Sequence, residues 1–223
     1  MLNFYGALGN GELLRRYGYV TEEHGRYDVV EIPWELVLSV LKDTLNLDDA
    51  TWGKVVRRLE IHALRVPSNV DISQINQLDP EEVEDTLILD RDLDPPDSTG
   101  QLQDELNFTK IPEDFEGQLA AFLKIVRKTS PETVPDKQRR DHIILAVLKR
   151  VCELRHSQYP TDFTIDPNEL LTRKTNHYRK AVAVRRGEKA LLVEATLFAK
   201  KKLEAMGVDG DDAAPAAKKQ KTK

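Results

Sequence analysis

Apolar residues recur at helical spacing along most of the chain, and this pattern predicts a mainly α-helical body. Four stretches carry it: WELVLSVLKDTL (34–45), DDATWGKVVRRLEIHAL (48–64), PEDFEGQLAAFLKIVRK (112–128) and DKQRRDHIILAVLKRVCELRHSQY (136–159). A fifth and longer stretch runs from Asp166 to Met206. Gly187 interrupts it, and we expect a helix break there because glycine is a poor helix former.

Shorter elements are predicted in the stretches where apolar residues do not recur at helical spacing over a long run. NGELLRRYG (10–18) predicts a short helix with Asn10 as its N-cap and Gly18 at its end. RYDVVEIP (26–33) alternates weakly, which favours a short strand. PEEVEDTLIL (80–89) is helical in pattern at its start. The acidic, proline-containing DRDLDPPDSTGQ (90–101) predicts an exposed loop, and TSPETVPDKQ (129–138) a linker.

Composition indicates a globular chain that is long enough to bury a core. It has 223 residues, of which 40% are hydrophobic and 32% charged. A single cysteine, Cys152, excludes an internal disulfide framework and a cysteine-cluster zinc site. No apolar run approaches the ~20 residues that span a bilayer, and the first residues lack a signal-peptide pattern. We therefore expect a soluble, intracellular protein whose composition after Gly207 favours disorder.

Charge is strongly segregated along the chain although the net charge is only −5. Residues 79–105 contain eleven acids and one base, Arg91, whereas residues 173–202 contain ten bases and two acids, Glu188 and Glu194. This asymmetry leaves two interpretations open beside plain solvated faces: an intramolecular match, or a surface that selects charged partners. Nucleic-acid binding is disfavoured because the chain is acidic overall.

Common catalytic and binding motifs are absent from the sequence. The glycines of YGALGNGE lack the preceding strand and βαβ context of a dinucleotide fingerprint. The five histidines are scattered without ligand spacing, so no metal site is expected. No Ser/His/Asp or Cys/His set is recognisable either.

Two stretches resemble one subfamily of protein-lysine methyltransferases. The pattern N-x-Y-G-x-x-x-N-x-x-L-L-x-x-Y-G-aromatic-V, residues 3–20, resembles the C-terminal SET-domain motif of the Rubisco large-subunit methyltransferase and its fungal ribosomal-protein relatives. HYRKAVAVRRGEKALL (177–192) resembles the helical substrate-binding domain that follows it. The resemblance covers residues 1 to about 205. It implies a short strand-and-helix remnant of a β-rich SET domain (1–22), a Rubisco-methyltransferase-type domain (23–205, acidic loop 90–104) and a disordered basic tail (206–223).

The resemblance also implies a chemistry, which is methyl transfer from S-adenosylmethionine to a lysine ε-amine. By matched position, Tyr5 is the catalytic tyrosine and contacts the substrate lysine. Tyr17 lines both the cofactor and the lysine side of the pocket, and Tyr19 the cofactor side. The relatives usually carry phenylalanine at the position of Tyr19, so its hydroxyl is expected to alter the degree of methylation.

The family's cofactor site also uses an upstream glycine-containing turn and an Asn-His motif, which have no counterpart early in this chain. We therefore expect the C-terminal part of such an enzyme, without a complete cofactor site and with weak or no binding of S-adenosylmethionine. Its substrate is expected to be a basic ribosomal or other nuclear protein.

The tail residues Lys218, Lys219, Lys221 and Lys223 resemble a nuclear-import signal, which predicts a nuclear location, with cytoplasm also open. A second interpretation stays open for the whole chain. In it the chain is a stand-alone helical protein-interaction module without catalysis, and the three tyrosines are packing residues.

Overall fold

The computed structural model describes residues 6–63, 86–91, 108–161 and 175–207. Tyr5, the start of the 80–89 segment, most of the acidic loop and the basic tail lie outside these residues. The described part confirms the mainly α prediction, since it holds six α-helices and one two-stranded sheet. In chain order they are α1 Asn10–Tyr17, a 3-10 helix Glu23–Tyr27, β1 Val30–Pro33, α2 Trp34–Leu45, α3 Asp49–Ala63, β2 Thr86–Leu89, α4 Glu113–Thr129, α5 Lys137–Ser157 and α6 Asn176–Ala205.

The core is built by the long helices. α5 and α6 share the most extensive helix contact, α2 packs on α5, and α3 packs on α4. Their buried side chains follow the predicted helical stripes: Phe115, Leu119 and Phe122 on α4, Ile144, Leu148 and Val151 on α5, and Leu192, Ala195 and Ala199 on α6. Each large apolar side chain buried in this way stabilises the folded state by about 1.5–3 kcal/mol. Because the buried face of each helix needs such residues, they recur at helical spacing in the sequence.

The small sheet closes one side of this core. β1 runs antiparallel to β2 with Val30 opposite Leu89 and Ile32 opposite Leu87. These four side chains are buried because alternate residues of a strand face the same side. The end of the 80–89 segment is therefore a strand, and β1 confirms the strand that its weak alternation predicts.

The prediction that Asn10 caps α1 is wrong by one residue. Gly9 is the N-cap, and Asn10 is the first helical residue and buried. The predicted end is confirmed, because Gly18 adopts a left-handed conformation (φ 74°) and its N–H bonds the Leu14 carbonyl.

The predicted helix break at Gly187 is also wrong. α6 is continuous over 30 residues, a length of about 45 Å. A Cβ atom at position 187 would lie 1.8 Å from Oδ2 of Asp28. Glycine therefore stands there because another part of the chain packs against the helix backbone, and the long helix tolerates its ~1 kcal/mol propensity cost.

Candidate functional site

The tyrosine-bearing helix α1 lies along the first half of α6. At one end of α1, Nζ of Lys180 donates a hydrogen bond to the Gly18 carbonyl. In the first turn of α1, a Cβ at Gly11 would stand 3.7 Å from Cγ1 of Val184. At the other end, the segment that holds Asn10 meets α6 at Gly187. Since the end of α1 faces Lys180 and its start faces Gly187, the two helices run antiparallel.

The structure brings Tyr17 and Tyr19 together at the end of α1. Their ring centroids are 6.3 Å apart with the planes inclined by 38°. The Tyr17 side chain is 49% exposed, and Tyr19 is partly buried. Tyr17 is therefore no core residue, contrary to the packing interpretation. The exposed ring area suits a cation such as a sulfonium or an ammonium, and the hydroxyl groups can orient an amine by hydrogen bonds.

Side chains of residues 10–28 tie this segment into a closed loop. Oδ1 of Asn10 accepts from the Thr21 N–H at 2.8 Å, and the Asn10 N–H donates to Oδ1 of Asp28 at 2.7 Å. Gly9 permits the closure, since a Cβ there would lie 2.4 Å from the Tyr27 carbonyl oxygen. Asn10 and Asp28 thus fix the start of α1, and with it the direction in which the tyrosines project.

Asp28 is a buried carboxyl group in this junction. Its exposure is 2%, and its pKa is raised to about 6 because burial removes water from the charged form. The backbone N–H of Asn10, the charge of Arg91 and the side-chain amide of Asn10 lower the pKa, and the charge of Glu188 raises it. Among the described residues no donor reaches Oδ2, the oxygen that lies against Gly187.

Arg91 joins three elements beside Asp28. It is 5% exposed, and its Nε and Nη2 donate to the Glu194 carboxylate of α6 at 2.8 and 2.9 Å. Its Nη1 donates to the carbonyls of Gly25 and Arg26 in the 3-10 helix, at 3.1 and 3.3 Å. The lone base of the acidic stretch therefore pairs with one of the two acids of the basic stretch. At this point the charge segregation is an intramolecular match, and Arg91 is not the exposed loop residue that the sequence predicts.

The Gly-Glu-Lys residues of α6 also bind the end of α5. The hydroxyl of Tyr159 donates to Oε2 of Glu188 at 2.7 Å. Burial and this hydrogen bond both raise the pKa of Tyr159. Lys189 is fully buried, lies 5.6 Å from the Tyr159 ring centroid, and donates to the carbonyl and, at 3.0 Å, to Oγ1 of Thr161. Three consecutive residues thus contact Asp28 on one side of α6 and the segment that follows α5 on the other.

Comparison with known proteins finds a short similarity. Over 44 residues the chain is 46% identical to ribosomal lysine N-methyltransferase 4 of Saccharomyces cerevisiae. The similarity covers 20% of this chain and 9% of the yeast protein, so it spans less than a tenth of that protein's length. No protein-family model matches the chain. The similarity supports a relationship to lysine methyltransferases.

Other chemistry-bearing side chains lie away from the tyrosines. A shallow depression lined by Asp136, Arg139, His142 and Met206 lies near the far end of α6, roughly 39 Å along the helix from Lys180. Burial raises the pKa of the Cys152 thiol to about 12, so it stays protonated. The described ranges contain no cluster of acids, histidines or cysteines suited to a metal, and no helix long and apolar enough to cross a membrane.

Of the three predicted site residues, the structure therefore places two. Tyr17 and Tyr19 are adjacent, and Tyr5 lies outside the described residues. Sequence reasoning missed Asn10 and Asp28 as a bonded pair and Arg91 as a buried base. The sequence did carry a signal for Arg91, since it is the single base among the acids of residues 79–105. A charged residue of this kind is typically buried only when it has a partner.

Proposed function

We propose that the chain is the C-terminal portion of an S-adenosylmethionine-dependent protein-lysine N-methyltransferase. In this proposal the end of α1 forms one wall of the methyl-transfer pocket, and the helical body binds the protein substrate. One observation carries the proposal. The two stretches that resemble the family, more than 150 residues apart in sequence, lie packed on each other through Gly18–Lys180 and Gly11–Val184. The similarity to a yeast lysine methyltransferase supports it independently.

The side chains at the end of α1 fit this chemistry. A lysine amine must lose its proton before it attacks, and its ordinary pKa is about 10.4. A wall of aromatic rings favours the neutral amine by excluding water. Tyr17 and Tyr19 supply such rings together with hydroxyl groups, and their faces attract the positive sulfonium. S-adenosylmethionine supplies the methyl group, and these tyrosines line its side of the pocket. Tyr5 is assigned the catalytic place next to the methyl group on resemblance alone.

The substrate class follows from charge. Residues 79–105 carry eleven acids, and their single base, Arg91, is already paired with Glu194. An acidic segment raises the rate of encounter with a basic protein. We therefore propose a basic ribosomal or other nuclear protein as the substrate, in agreement with a nuclear address in the lysine-rich tail.

A stand-alone interaction module remains the second candidate. Val193 and Leu197 lie one turn apart on α6 and are 38% and 60% exposed. Exposed apolar side chains of this kind are common on surfaces that bind other proteins.

A transfer assay separates the two candidates. The whole enzyme, of which this chain is the proposed C-terminal portion, is purified from the cells that produce it and incubated with methyl-labelled S-adenosylmethionine and a nuclear or ribosomal extract. We expect label on lysine of a basic protein and at least a tenfold lower rate for Tyr17→Phe. The matched control, Tyr159→Phe, removes a hydroxyl from the helical body and should keep the rate. Absence of transfer with retained binding of extract proteins would favour the interaction module.

A further inference from the structure

The Asp28 carboxyl group is only partly hydrogen-bonded at the α1–α6 junction. Oδ1 accepts from the Asn10 N–H at 2.7 Å. Oδ2 is buried, receives no hydrogen bond within the part of the chain that the structure describes, and lies in the space that a Cβ at position 187 would fill. A buried carboxylate with one satisfied oxygen is costly in its charged form.

The charges around Asp28 offset that cost only in part. From the end of β2, Arg91 faces it, but the donors of Arg91 go to Glu194 and to two carbonyls of the 3-10 helix. From α6, the Glu188 carboxylate faces it and opposes ionisation. α1 and the 3-10 helix contribute the uncharged Asn10 and Gly25. The docked arrangement therefore favours the neutral acid.

We infer that Asp28 is a protonation-controlled positioning residue, which holds the start of α1 against Gly187 of α6 as a neutral acid and loosens that contact when it ionises. The pKa of about 6, raised from an ordinary 3.8, agrees with this direction. Because the docked state binds the proton more tightly than an undocked state, docking is strongest at low pH and weakens as pH rises through 6.

The consequence reaches the tyrosines through α1. Asn10 begins the helix that ends at Tyr17, and the hydrogen bond from Lys180 to the Gly18 carbonyl is a second tether at the other end. Ionisation of Asp28 therefore loosens one end of a short helix that is held at both ends. The inference concerns docking and stands whether or not the tyrosines serve methyl transfer.

Hydrogen exchange on the intact chain tests the inference. The Leu13 N–H donates to the Gly9 carbonyl at 3.0 Å, so it exchanges only when the start of α1 opens. After correction for intrinsic exchange, we expect its opening constant to rise about tenfold between pH 5 and pH 7. Asp28→Asn should remove the rise, and Asp49→Asn, at a side chain that is 92% exposed, should keep it. An opening constant independent of pH in the native chain, or a rise that persists in Asp28→Asn, would overturn the inference.

A titration of the native chain decides the question if Asp28→Asn does not fold. The carboxyl carbon of Asp28 and the amide of Asn10 are followed by NMR from pH 3 to pH 8. We expect both to titrate together with a midpoint near 6. A midpoint near 4, or an Asn10 amide that does not respond, would show that the carboxyl group lies in water and holds nothing.

Discussion

Arg91 has a structural role that its acidic neighbours in the sequence do not indicate. It lies in the most acidic part of the chain, yet it is buried and makes four hydrogen bonds across β2, the 3-10 helix and α6. A guanidinium group has the planar, multiple donors that such a junction needs, and a lysine does not. The count of charges indicated an isolated base, but only the fold could supply Glu194 as its partner.

Replacing Arg91 tests this role. Arg91→Met leaves Glu194 and two carbonyls without their donor, and since Glu194 is partly exposed we expect a loss of about 2–3 kcal/mol in unfolding free energy. Arg15→Met is the matched control, because Arg15 pairs with Glu12 on an exposed helix face and its loss should leave the unfolding free energy nearly unchanged. Denaturant unfolding measures both. Equal losses would contradict a structural role for Arg91.

At the scale of elements, the sequence predicted what depends on local periodicity. α2 begins and ends at the residues that its apolar stripe indicated, and α4 and α5 differ from theirs by one or two. The sequence did not predict that α6 passes through Gly187, because the reason for that glycine is a carboxylate 159 positions away. The sequence alone does not distinguish a glycine that ends a helix from a glycine that allows another part of the chain to pack closely against the helix. The Tyr17–Tyr19 pair came instead from a recognised motif.

The end of α1 offers a prediction at this scale. Gly18 has φ 74° and open space around it, so Gly18→Ala is strained by backbone conformation alone and should lower the unfolding free energy by about 1 kcal/mol. Gly18→Asn should cost less, because asparagine tolerates the left-handed region. Thermal unfolding ranks the two variants. An alanine variant as stable as the native chain would show that α1 does not end as described.

At the scale of the molecule, a helical body carries the Tyr17–Tyr19 pair, and the sequence between β2 and α4 is rich in acids. If methyl transfer is the function, the tyrosines serve the chemical step and the acidic segment attracts the substrate. Tyr19→Phe should then change the ratio of mono-, di- and trimethyl-lysine products, since it removes a hydroxyl from the cofactor side of the proposed pocket. Mass spectrometry of the product measures this ratio, and an unchanged ratio would leave Tyr19 without that role.

Substrate capture makes a separate prediction. Changing the acids at positions 92, 94 and 97 to asparagine should slow association with a basic protein at low salt and reduce its salt dependence. The same changes should leave the rate at high salt nearly unaltered, because salt screens long-range electrostatic attraction. Stopped-flow association measures both. An unchanged salt dependence would remove the acidic segment from substrate capture.

The docking of α1 on α6 is the central claim, because it unites the two stretches that resemble lysine methyltransferases. A double-mutant cycle of Asp28→Ala with Gly187→Ala tests it most directly, and Gly117→Ala on α4, with nothing within 4 Å, is the control. Gly187→Ala should destabilise the native chain by about 1–3 kcal/mol, through the clash with Asp28. In the Asp28→Ala background it should stabilise by up to ~1 kcal/mol through helix propensity, as Gly117→Ala should in both backgrounds. An equal effect of Gly187→Ala in the two backgrounds would contradict the docking.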